Sequence, residues 1–68
     1  MQIRNVVQNA RKQKNLTQQQ LAELVDVSRR TIISLEKGNY TPSLLLALQL
    51  AEVLEITVHE LFFIHREE

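Results

Sequence analysis

Residues 17–38 read TQQQLAELVDVSRRTIISLEKG, and this stretch decides the fold. Thr17 and Gln20 have the spacing of a helix-opening capping box, and Leu16 and Leu21 flank it as a hydrophobic staple. Leu21, Leu24 and Val25 then form a stripe for burial. Asp26, a residue able to take positive φ, marks a sharp turn. Ser28 is placed to cap a second helix, with Val27 and Ile32 as its staple and Gly38 just beyond its end. Two short helices joined at Val25-Asp26-Val27 read as a helix-turn-helix. On the second helix Ile32 and Leu35 point one way, Arg30, Ser34 and Lys37 the other, with Arg29 and Thr31 on the flanks. Arg29 and Arg30 stand in its first turn, where the helix dipole opposes cations by about 0.3–1 kcal/mol each. That placement makes sense where the start of the helix enters a DNA major groove, because an arginine fork hydrogen-bonds guanine O6 and N7 there.

Outward from this core, Ile3, Val6, Val7 and Ala10 predict a first helix over 2–13, ended near Asn15. NYTPS at 39–43 is a turn, with Pro42 before a cap at Ser43. An almost wholly apolar helix follows over 44–54, as a central helix should be. Thr57 and Glu60 form another capping box, with Ile56 and Leu61 as staple, opening a short fifth helix. No strand-like alternation or repeat is present. The expectation is an all-α domain of five short helices occupying 1–68.

With 68 residues, one Gly, one Pro and three aromatic residues, the chain has to build a small, largely aliphatic core. The absence of cysteine excludes disulfides and thiolate metal sites and suits a reducing cytoplasm. No signal peptide or membrane-spanning run is evident, so a cytoplasmic protein is expected. His59 and His65 have no ligand-spaced partner or nucleophile arrangement, and one glycine excludes a glycine-rich phosphate loop. Neither metal, cofactor nor enzymatic activity is expected. The net charge of zero conceals an asymmetry: residues 1–40 carry seven bases and three acids, residues 41–68 one base and five acids. One half suits a polyanion and the other something else.

LTQQQLAELVDVSRRTIISLEKGNYTPS, within a match covering about 3–63, resembles the phage repressor/Cro-type helix-turn-helix regulators of the xenobiotic-response-element family. The resemblance implies a compact five-helix, lambda-repressor-like DNA-binding domain, usually dimeric on operator DNA. By matching position it implies a phosphate contact at Gln18 and recognition-helix contacts at Ser28, Arg29, Arg30 and Ser34, beside Thr31. Lys37, Asn39 and Tyr40 fall near the family's backbone-contacting segment, although Tyr40 can equally pack over its loop. Arg11 and Glu36 match an internal ion pair. Two positions depart from the family: Asp26 stands where many members have Gly, and Ile33 where a polar residue is usual.

Leu45, Leu61, Phe62, Phe63 and Ile64 offer more apolar surface than a small monomer hides, although some of LFFI has to be core. The expectation is a homodimer formed through residues 57–68 and the end of the fourth helix, with Glu52 and Glu55 at its rim. The function expected is sequence-specific binding of double-stranded, palindromic operator DNA by a repressor. The alternative is a protein-interaction module, such as an antitoxin or anti-repressor, which the neutral net charge and acidic second half keep open.

Overall fold

The computed structural model describes residues 2–66. Its order is β1 (Gln2–Asn5), α1 (Val7–Gln13), α2 (Gln18–Leu24), α3 (Arg29–Glu36), α4 (Leu44–Leu54), α5 (Val58–Leu61) and β2 (Phe62–His65). Each of the last four helices opens on a side-chain cap. Thr17 Oγ1 accepts from the Gln20 amide at 3.0 Å while Gln20 Oε1 accepts from the Thr17 amide at 2.8 Å, and Thr57 and Glu60 repeat the arrangement. Ser28 and Ser43 cap α3 and α4 through the amides of Thr31 and Leu46. Three helix ends turn through non-glycine residues with positive φ, Asn15 (57°), Asp26 (57°) and Glu55 (56°), and α3 ends at Gly38 (82°).

The five-helix arrangement stands, but the first helix starts at Val7, and residues 2–5 form a strand instead of its opening turn. β1 pairs antiparallel with β2, Ile3 opposite Ile64 and Arg4 opposite Phe63. Asn5 explains the switch. Its Oδ1 accepts from the Val7 amide at 3.0 Å, capping α1 from one residue further out than usual, while its Nδ2 donates to the Leu35 carbonyl at 3.0 Å. A helix running through Asn5 would lose both contacts. The Val6 amide bonds the Leu61 carbonyl at 3.0 Å, fastening the start of α1 to the end of α5, where β2 begins.

Val7, Leu21, Ile32, Leu35, Leu50 and Leu61 are the largest fully buried side chains, so every helix contributes to one aliphatic core. Burying a side chain of this size stabilises the fold by about 1.5–3 kcal/mol. Leu16, Val27 and Ile56, the residues just outside three caps, pack against that core as staples should. Across the surface, Lys14 pairs with Glu55 and joins the ends of α1 and α4. The hydrogen bond and charge of Lys14 hold the Glu55 carboxyl below its ordinary range. The pair therefore contributes above the ordinary carboxylate range and is lost as pH falls through the lowered value. Both groups are exposed, and solvent keeps that contribution small.

Candidate nucleic-acid interface

The helix-turn-helix is fixed from beneath by one buried cation. Arg11 on α1 is only 7% exposed. Its Nε donates to Glu36 Oε2 at 2.7 Å, its Nη2 to Glu36 Oε1 at 3.2 Å and its Nη1 to the Leu16 carbonyl at 2.9 Å. This two-point contact with the carboxylate ties α1 to the last residue of α3 and to the chain entering α2. Gln18, at the start of α2, joins the same cluster by donating Nε2 to Glu36 Oε1 at 3.1 Å. The structure thus brings Arg11, Glu36 and Gln18 together. An amide nitrogen carries two hydrogens, so Gln18 retains one for an outside acceptor.

Above this support lies an open cleft of about 510 Å³ lined by Gln8, Arg11, Asn15, Leu16, Thr17, Gln18, Gln19 and Arg29. It places the start of α2 beside the start of α3, bringing Gln18 and Arg29 onto one surface. Arg29 and Arg30 are exposed, and neither makes an ion pair among the described residues. Ser28 and Thr31 are partly committed to the cap: the Ser28 hydroxyl accepts from the Thr31 amide at 3.2 Å and lies 3.0 Å from Thr31 Oγ1. Ser34 is half-buried, with its carbonyl accepting from the Asn39 amide at 2.9 Å. Lys37, Asn39 and Tyr40 are all exposed beyond the end of α3. Gln8 and Gln19 share the Gln18 cleft and were missed by reading the motif alone. Their signal was the polar side of α1 and α2 rather than any spacing rule.

This geometry has a known counterpart. The helix-turn-helix family model HTH_3 matches residues 7–61, which is most of the chain. The protein belongs to the helix-turn-helix family of DNA-binding transcriptional regulators. An HTH-type transcriptional regulator of Methanothermobacter thermautotrophicus is 52% identical over 52 residues, covering 76% of this chain and 75% of the relative. Among solved structures, the restriction-modification controller protein C.AhdI from Aeromonas hydrophila superposes with a TM-score of 0.73 at 33% identity, covering 79% of this chain and 82% of its own. A Bacteroides fragilis protein reaches 0.81 at 26% identity, covering 90% of this chain and 98% of its own. The family consists of regulators rather than enzymes. No helix among the described residues is long and apolar enough to cross a membrane.

The residues assigned to a dimer contact divide into two groups. Leu61, expected at the dimer contact, is instead fully buried in the core and has no surface to offer a second subunit. Phe62 is half-buried and packs against that core. Phe63 and Ile64 are 43% and 55% exposed on β2, and Leu45 is 68% exposed on α4 beside Leu44 (74%) and Leu48 (50%). The exposed apolar surface of α4 therefore lies at its beginning, whereas Leu54 near its end is buried. Residues 67–68 of the assigned 57–68 segment lie outside the described residues.

Proposed function

We propose that this protein is a cytoplasmic repressor that binds a palindromic operator as a homodimer, with α3 in the major groove. The observation that carries this reading is the pair Arg29 and Arg30: exposed, free of ion pairs among the described residues, and held at the first turn of a helix anchored by Arg11 and Glu36. An arginine that meets the dipole unfavourably in the free protein gains acceptors on guanine and phosphate when bound. In this reading Ser28, Thr31 and Ser34 complete the base-facing surface. Gln18 gives its spare amide hydrogen to a phosphate, and Lys37, Asn39 and Tyr40 follow the backbone.

Leu45, Phe63 and Ile64 supply the two-fold contact, with Leu44 and Leu48 extending it along α4. The test is selection of bound duplexes from a random pool, followed by titration of the selected site at several salt concentrations. The expected result is an inverted repeat for which the logarithm of the affinity falls linearly with the logarithm of salt concentration. Binding of no duplex would overturn the reading, and a single unrepeated half-site would overturn its dimeric part.

A further inference from the structure

A second cleft, of about 750 Å³, opens between β1 and the end of α3. Gln2 and Arg4 line it on one side, and Lys37, Gly38, Asn39 and Thr41 on the other. No residue of β2 takes part, so the wall is the edge of β1 that carries no partner strand. Two cations thus share one polar depression. Glu36 lines the same cleft, but its carboxylate oxygens are already held by Arg11 and Gln18.

The end of α3 does not supply opposing charge either. The amides of Lys37, Gly38 and Asn39 satisfy the Ile33, Leu35 and Ser34 carbonyls, and Asn5 donates a second bond to Leu35. With these three carbonyls occupied, this helix end presents less of the negative potential that would otherwise repel an anion. A Cβ at Gly38 would meet nothing within 4 Å, so the cleft floor is open to a close approach.

We infer that Arg4, which lies outside the helix-turn-helix, is a phosphate-contacting residue, and that the β1–α3 cleft receives the DNA backbone between Arg4 and Lys37. The inference rests on the DNA-binding reading of α3, since the cleft begins where that helix ends. β1 then has a role beyond pairing with β2: it carries a cation, distant in the chain, to the exit of α3. A local reading of residues 2–13 as helix hides this, because it is as a strand, paired with β2 and tied to α3 through Asn5, that this segment brings Arg4 to the cleft that Lys37 also lines.

The experiment compares wild type with Arg4→Gln, Arg4→Lys and Lys37→Ala on the selected operator and on a duplex of mixed sequence, each over a range of salt. Arg4→Gln keeps a polar stem on the strand, and its thermal melt establishes that it is folded at the binding temperature. Arg4→Gln should weaken both duplexes by the same factor and reduce the salt slope by about 0.9, the value for one phosphate contact on B-form DNA. Arg4→Lys should restore the slope, and Arg4→Gln with Lys37→Ala should reduce it by about 1.8. A folded Arg4→Gln protein with the wild-type slope overturns the inference and leaves the DNA reading intact. An altered base preference overturns it in favour of a base contact. If wild type itself binds neither duplex, the failure belongs to the DNA reading.

Discussion

Arg29 and Arg30 are exposed at the start of α3, the end that a groove would receive in the proposed reading, and that reading makes them the base-contacting side chains. Replacing either by Ala should cost about 1–3 kcal/mol on the selected site and relax preference at one base pair. Equal losses on selected and mixed-sequence duplexes would reduce them to phosphate contacts. Arg11 and Glu36 carry a different load. Their side chains are 9% and 4% exposed, so removing one leaves the other charged, buried and short of partners. Glu36→Ala should destabilise the fold by about 3–5 kcal/mol in urea unfolding. A double-mutant cycle with Arg11→Ala should give a coupling of about 0.5–3 kcal/mol, and zero coupling would mean that the contact contributes nothing. Glu36→Ala should also weaken DNA binding among molecules that remain folded, because Gln18 loses the carboxylate that orients it.

Helix boundaries were legible wherever their cause is local. Thr17, Ser28, Ser43 and Thr57 each sit within three residues of the amide they cap, and that proximity is visible in a linear sequence. The start of α1 was not legible, because Ile3 and Val6 satisfy helical spacing while the partner that makes Ile3 a strand residue is Ile64. Asn5 likewise bonds Leu35, thirty positions away. The αL turns give a test at this scale. Asp26 holds φ at 57°, which is costly for a side chain with a Cβ. Asp26→Gly should raise stability by up to about 1 kcal/mol after allowing for the extra freedom of glycine in the unfolded chain. It should also tighten binding to all duplexes by removing an acid from the turn before α3. Gly38→Ala should do the opposite to stability, costing about 1 kcal/mol through φ of 82° alone, since the added methyl meets no neighbour. An unchanged urea midpoint for Gly38→Ala would mean that the helix end relaxes out of the left-handed conformation.

At the scale of the whole molecule, two facts have to be reconciled: a protomer measures 37 × 22 × 21 Å, and palindromic half-sites lie about 34 Å apart along the duplex. In the proposed dimer each α3 would sit about 17 Å from the two-fold axis, half the separation of the half-sites. In a protomer of these dimensions that spacing requires a contact surface well away from Arg29 and Arg30. Leu45 and Ile64 are the test positions, one on α4 and one on β2, because both are exposed and neither belongs to the buried core. Phe62, half-buried on β2, packs against that core, so an acidic substitution there would confuse unfolding with dissociation. Leu45→Asp and Ile64→Asp should each keep the helical circular dichroism of wild type and sediment as monomers. Each should bind the full inverted repeat no better than an isolated half-site. An effect from only one of the two variants would assign the contact to its element alone and remove the other from the interface. If both variants remain dimeric, or if wild type sediments as a monomer at micromolar concentration with and without DNA, these apolar surfaces do not join two copies of the chain, and symmetric operator reading has to be abandoned with them.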